Sequence, residues 1–251
     1  MEPLRKLLLK TADDCVIIGH RNSEWTGIGP VLEEDIAFSS MAQDKIGHAH
    51  AIYQIIEKEF GGADPDKLLY GRSLEEFYNS IFVELPIGDY SFTLARHYLF
   101  DKADQIRFDY YSESSFAPLS NLAKKIKGEI KYHVLHAEQW LYQLCVNGSE
   151  ESKSRVFASL SKALPFAFSM FENIENEQEL IESGVCPGEL KIQEDWSLQI
   201  SEFLHSINFN TNDIQPTKEH WGGRYGKHSE DFYSLMTEMR EVYQTDSEAE
   251  W

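Results

Sequence analysis

Met41-Ala-Gln-Asp-Lys-Ile-Gly-His48 is the stretch whose reading decides the fold. Taken with its flanks at steps of three and four, it puts Met41, Lys45, His48, Ile52 and Ile55 on one side of a helix. A lysine and a histidine thus interrupt an otherwise apolar stripe. Buried polar groups need partners, so His48 is either a hydrogen-bonded core residue or one contributor to a site that other helices complete. The helix start is well marked. Pro30 follows Gly29 and suits a first helical position, where its missing N–H costs nothing, and Glu33, Glu34 and Asp35 fall at the positive end of the helix dipole. The pattern runs on to Phe60.

The same period recurs on both sides of this segment. Upstream, Leu4, Leu8, Thr11, Cys15 and Ile18 predict a first helix closed near Gly19 and followed by the turn Glu24 to Pro30. Downstream, Ser73-Leu-Glu-Glu76 reads as a capping box for a short helix to about Val83, stopped by Pro86 and Gly88. Leu94, Tyr98, Asp101, Gln105 and Phe108 line a longer helix from about Tyr90. Beyond the break at Ser112 to Pro118, the stripe Leu122, Ile126, Ile130, His133, Ala137, Leu141, Leu144 predicts about seven turns ending at Asn147-Gly148. Ser149 caps a further helix through about Leu164, with Pro165 restarting or kinking the chain toward Asn173. Gly184 to Leu190 reads as a loop, Glu194 to Ser206 as a helix and Asn208 to His228 as irregular. A last helix from Ser229 turns Phe232, Leu235, Met236, Met239 and Val242 inward. With no alternation at period two and no fixed repeat, the expected class is all-α: residues 1–251 as a single helical domain, with a core bundle over about 4–147 and added C-terminal helices over about 149–245.

Composition narrows the function classes. The 251 residues are 42% hydrophobic and 13% aromatic, enough for a sizeable core, and 42 acidic against 23 basic residues leave a net charge of −19. Such a chain repels nucleic acid and anionic membranes and offers little general attraction to a polyanion such as a coenzyme A ester. Cys15, Cys145 and Cys186 are odd in number and unclustered, which fits a reducing compartment. Leu7-Leu8-Leu9 is the one apolar run at the N-terminus, too short for a signal peptide or membrane span, so the expectation is cytoplasmic.

Bundles build sites from the inward side chains of facing helices. Here the inward stripes offer Cys15 from the first helix, Lys45 and His48 from the second, Asp101 from the third, and Ile130 with His133 from the fourth. Ferritin-like di-iron proteins place a carboxylate on helices one and three and a Glu-x-x-His pair on helices two and four. Both histidines and one carboxylate fall in that register. Cys15 stands where the first carboxylate belongs, and Lys45 and Ile130 stand where each Glu belongs. Two iron ions need several carboxylates to neutralise them, whereas Lys45 brings its own cation and is expected to pair with Asp101. The centre reads as a degenerate metal site or, with the same consequence for catalysis, as a buried polar network. One alternative stays open: Asp44 and Glu129 each precede a histidine by four residues, so Asp44/His48, Asp101 and Glu129/His133 would form a metal site of an iron or manganese oxidase, although helical phase puts both acids on the flank.

The run Cys15-Val-Ile-Ile, Glu24-Trp25, Asp44-Lys-Ile-Gly-His48, Lys127-Gly-Glu-Ile-Lys-Tyr-His133, Gly222-Gly-Arg-Tyr-Gly-Lys-His228, Met239 and the terminal Trp251 resemble, over essentially the whole chain, the C subunits of ring 1,2-phenylacetyl-CoA epoxidases. The resemblance implies a role in aerobic phenylacetate degradation as the non-catalytic structural subunit of a multicomponent monooxygenase. It implies as partner a catalytic A subunit holding the di-iron centre and inserting oxygen into the aromatic ring. It also implies other subunits, among them a reductase with flavin and an iron–sulfur cluster. No cofactor motif stands in this chain itself, and a homodimer in isolation is left open. Lys124, Lys125, Lys127 and Lys131 read as a solvated face or a meeting place for an acidic partner. Trp25, Tyr110-Tyr111, Trp140 and Trp221 are partner anchors or core.

Overall fold

The computed structural model describes residues 1–211 and 215–246; Trp251 lies outside them. All regular structure among these residues is helical: α1 Glu2–Ser23, α2 Leu32–Phe60, α3 Pro65–Tyr70, α4 Ile81–Glu84, α5 Tyr90–Tyr111, α6 Ala117–Tyr142, α7 Glu150–Ala167, α8 Glu177–Glu182, α9 Glu189–Ser206 and α10 Glu230–Thr245. The all-α bundle expected from the period is therefore present. None of these helices is long and apolar enough to cross a membrane. α1 packs along α2, α5 along α6, and α7 and α9 lie against the far side of α5. One apolar cluster runs continuously from Leu7 to Met236.

Several boundaries differ from the pattern. α1 continues through Gly19 to Ser23; a Cβ there would lie 3.1 Å from Ile46 Cγ1 and Lys45 Cβ and 3.2 Å from the Ala42 carbonyl. That glycine admits α2 rather than ending α1. Pro30 stays outside α2, whose cap is Val31, while Asp35 in the first turn accepts hydrogen bonds from the amides of Gly27 and Gly29. The Ser73–Glu76 capping box forms, but only one 3₁₀ turn follows it. The amides of Tyr78 and Ser80 donate instead to Asp13 and Asp14 of α1 at 2.8 and 2.7 Å, and these tertiary bonds hold the chain extended up to α4.

α6 ends in a π-helical turn over Gln143–Asn147, and Pro165 is absorbed in the last turn of α7. α9 starts five residues earlier than the pattern suggested, at Glu189. Val242 of α10 is 62% exposed, contrary to its expected inward position, while Phe232, Leu235 and Met236 are buried.

Candidate functional site

α1, α2, α5 and α6 meet around Lys45. Its side chain is fully buried, with Nζ 2.7 Å from Asp101 Oδ1 and 2.6 Å from Asp104 Oδ2, and with the Phe100 ring centre 4.8 Å away. The lysine pairs with Asp101 as expected and with a second aspartate that the sequence reading passed over. Burial disfavours the ammonium, but the two carboxylates outweigh it and hold the Lys45 pKa above its ordinary value. Burial likewise works against ionised Asp101, and Lys45, followed by His97, overcomes it and keeps that carboxyl well below the usual range. Cys15 Sγ lies 4.0 Å from Asp104 Oδ2. Burial and the neighbouring carboxylate push its thiol up, so it stays protonated. Ile130 is buried among apolar neighbours.

The two histidines sit in a crossed arrangement between antiparallel α2 and α6. Both ring nitrogens of His133 are engaged, Nδ1 with Asp101 Oδ1 at 3.2 Å and Nε2 with Asp44 Oδ2 at 3.0 Å. His48 Nε2 meets Glu129 Oε2 at 2.7 Å. The sequence spacing paired each acid with the histidine four residues on in its own helix; the structure instead sends Asp44 across to His133 and Glu129 across to His48. Helical phase explains this. Both acids emerge at the flank, one-third and one-half exposed, and from there reach the neighbouring helix. The two histidines are pushed in opposite directions. Burial lowers the His48 pKa and Lys45 lowers it further. At His133 burial has the same sign, but hydrogen bonds to Asp101 and Asp44 outweigh it and raise the pKa.

Lys45 is one link in a longer buried chain of charges. Asp104 meets Arg107 at 3.2 Å, Arg107 meets Glu189 of α9 at 3.0 Å, and Glu189 also pairs with Lys10. Burial would raise the Glu189 carboxyl, yet Arg107 and Lys10 hold it at about 2. On the other side, His97 Nδ1 lies 2.7 Å from Asp101 Oδ2 but out of line for a hydrogen bond, and burial lowers its pKa. The His97 and His136 ring centres are 5.7 Å apart. His136 bonds Glu34 at 2.9 Å, and Glu34 accepts from Tyr90.

Sequence reasoning missed His97, Asp104 and Arg107 because it assigned α5 a single inward stripe, and it also passed over Lys10 on α1, His136 on α6 and Glu189 at the start of α9. α5 is instead buried on nearly every side. The available signal was the almost uncharged run Tyr90 to Phe100, which no solvent-facing helix side would tolerate. Of the aromatic candidates, Trp25 and Tyr111 are buried, Trp25 donating to Thr93 at 2.9 Å. Tyr110, Trp140 and Trp221 are half-buried, and Lys124, Lys125, Lys127 and Lys131 lie exposed along α6.

A pair of iron ions needs several anionic oxygens converging on one point. The oxygens that converge here do so on the Lys45 ammonium, a cation that repels a metal ion; both ring nitrogens of His133 and Nε2 of His48 are taken by carboxylates, while the buried His48 Nδ1 has no partner among the described residues. Among the described residues no group of three or more His, Cys, Asp or Glu side chains is arranged to hold a metal. The residues present do not fit a di-iron group.

The C subunit of 1,2-phenylacetyl-CoA epoxidase from Escherichia coli (strain K12) is 27% identical to this chain over 240 residues, which cover 96% of each. The family model described as phenylacetic acid catabolic protein matches residues 1–251. This helical chain, with a lysine at its centre, belongs to the phenylacetic acid catabolic protein family.

Proposed function

We propose that this chain is the structural subunit of a multicomponent phenylacetyl-CoA ring epoxidase, pairing with and supporting a di-iron catalytic A subunit in the cytoplasm while performing no oxygen chemistry itself. Cys15, Lys45, His48, Asp101, Ile130 and His133 are then the positions of a degenerate metal site within one ferritin-like domain. The observation that carries this reading is the Lys45 ammonium held between Asp101 and Asp104 at 2.7 and 2.6 Å. A protonated amine there neutralises the carboxylates that a metal would otherwise need, and it supplies no Lewis acidity and no electron. The name of the relative supports the assignment to an epoxidase. The flavin and iron–sulfur cluster that deliver electrons belong, on this reading, to a reductase subunit.

The competing role, a metal-dependent oxidase using Asp44/His48, Asp101 and Glu129/His133, requires those five residues to face a common point. Four of them instead pair across the helices, Asp44 with His133 and Glu129 with His48, while Asp101 is held by Lys45 and His133. Three measurements on the full chain test the proposal: metal content by mass spectrometry, phenylacetyl-CoA turnover with and without an A subunit, and co-purification with that subunit. Sub-stoichiometric metal, turnover only with the A subunit, and a stable complex are expected. Stoichiometric iron with turnover by the isolated chain would overturn it.

A further inference from the structure

Among the described residues five cationic side chains are at most 1% exposed: Lys10, Lys45, Arg96, Arg107 and Arg224. Four of them have carboxylate partners. Lys10 pairs with Glu189, Lys45 with Asp101 and Asp104, Arg107 with Asp104 and Glu189, and Arg224 with Asp14. Arg96, on the second turn of α5, is the exception. Among the described residues no carboxylate lies within ion-pair distance of it; Nη1 donates to the Leu85 carbonyl and Nη2 reaches Asn22 Oδ1 at 3.5 Å. These acceptors satisfy hydrogens but carry no counter-charge. Glu24, whose field reaches Arg96, is tied to Arg21 at 2.7 Å, and Arg21 brings a second guanidinium to the same end of the bundle. Arg240 is also buried without a carboxylate, but it keeps 9% exposure and therefore contact with solvent.

Two donors remain unused here. Arg96 Nε and Asn22 Nδ2 have no partner among the described residues, and both residues are fully buried. An arginine does not escape its cost by losing its proton at neutral pH. Burial, followed by the neighbouring Arg21, pulls its pKa only down to about 9. A buried charge requires a compensating charge. Water would serve the donors but leave the charge uncompensated, whereas a small anion would do both. One uncompensated guanidinium calls for one negative charge, and the net charge of −19 on the chain disfavours anything larger.

We propose that Arg96 Nε and Asn22 Nδ2 form a buried binding site for a small monovalent anion of the halide class, at the junction of α1, the Leu85 turn and α5. The site is independent of the epoxidase reading. Its occupant is a structural ligand that binds the folded chain and not the unfolded one.

Thermal unfolding of the full chain, with chloride exchanged for gluconate at constant sodium and pH, tests the proposal. With chloride several-fold above its dissociation constant the midpoint should rise by about 2–4 °C over gluconate and then flatten, and Arg96→Met should abolish that dependence. Crystals grown in bromide should show an anomalous peak within hydrogen-bond distance of Arg96 Nε and Asn22 Nδ2, a readout that stands whether or not the variant folds. Identical midpoints in both salts, a chloride dependence unchanged in Arg96→Met, or a feature there without bromide's anomalous signal would each overturn the proposal.

Discussion

Replacing Lys45 with methionine keeps most of the side-chain volume and deletes the ammonium, so it isolates the charge. Two carboxylates within 2.7 Å of Nζ then lose their shared counter-ion. They do not become equally orphaned: Asp104 retains Arg107 at 3.2 Å, whereas Asp101 retains His133 and a poorly aligned His97. Removing one member of a buried pair costs about 3–5 kcal/mol through the charge left behind. At about 2–4 °C per kcal/mol for a chain of this size, the midpoint should fall by roughly 6–20 °C at pH 7.

The loss should also depend on pH. In the parent, Asp101 ionises well below the ordinary carboxylate range, so its contribution is present above the unfolded pKa and is lost as pH falls through the folded one. In Lys45→Met burial dominates Asp101, the acid takes up its proton more readily, and the gap between variant and parent should narrow toward pH 4. Adding Asp101→Asn should recover part of the loss, because the uncompensated charge goes with it. Chemical denaturation of the parent, Lys45→Met, Asp101→Asn and the double variant at pH 4.5 and pH 7 measures this. A methionine variant as stable as the parent, or a deficit equal at both pH values, would refute the assignment of Lys45 as the charge that satisfies Asp101.

Four further outcomes are expected. Because the His133 pKa is raised in the folded chain, its contribution to stability is complete below the unfolded value near 6.5 and disappears as pH rises through the folded value; the fall in melting midpoint between pH 6 and pH 9 should be smaller in His133→Asn. Asp14→Asn weakens the partner of both Arg224 Nη2 at 2.6 Å and the Ser80 amide at 2.7 Å, and should cost about 3–5 kcal/mol and speed proteolytic cleavage between α9 and α10. Gly19→Ala places a methyl 3.1–3.2 Å from α2, an overpacking of about 1–3 kcal/mol that regains roughly 1 kcal/mol from helix propensity, so a small net loss of stability should appear in urea titration. Prolonged dialysis against a metal chelator should leave the midpoint of the isolated chain unchanged; a drop of several degrees would mean that a bound metal, and not Lys45, organises the centre.

Local pattern carried the fold further than the site. The stripe of α6 from Leu122 to Leu144 and the Lys45 and His48 positions on α2 could be read directly, because each of those helices has a wet side against which the buried side stands out. α5 has no such contrast, and the rule that found His133 passed over His97 and Asp104. Asp13 and Asp14 show a second kind of limit. Both are carboxylates in the middle of α1, where a sequence reading expects solvent, yet they are buried because they bind the amides of Tyr78 and Ser80 and the guanidiniums of Arg72 and Arg224. Those partners lie between about 60 and 210 residues away, a separation to which helical periodicity is blind. The crossed pairing of Asp44 with His133 is of the same kind: spacing places a residue on its own helix but cannot say which neighbour it will meet.

What holds such a bundle together follows from charge balance. Asp101 and Asp104 supply two negative charges at the centre, and Lys45 and Arg107 supply two positive ones. Where Glu-x-x-His helices would add further acids, this chain has Lys45 itself and the neutral Ile130, and Cys15 remains a protonated thiol. On the proposed reading these departures belong together: a lysine brings a single charge where a pair of metal ions would bring several, and it can serve as counter-ion only if the number of buried acids falls with it. A cation tethered to the chain is present from synthesis, whereas a metal must be acquired, so the centre can reach its final packing without metal loading. The two crossed histidine pairs then join α2 to α6 on the side facing solvent, and the buried chain through Arg107 and Glu189 ties the same centre to α9. A frame closed in this way offers a partner a fixed surface, which is the physical requirement for supporting a neighbouring catalytic subunit.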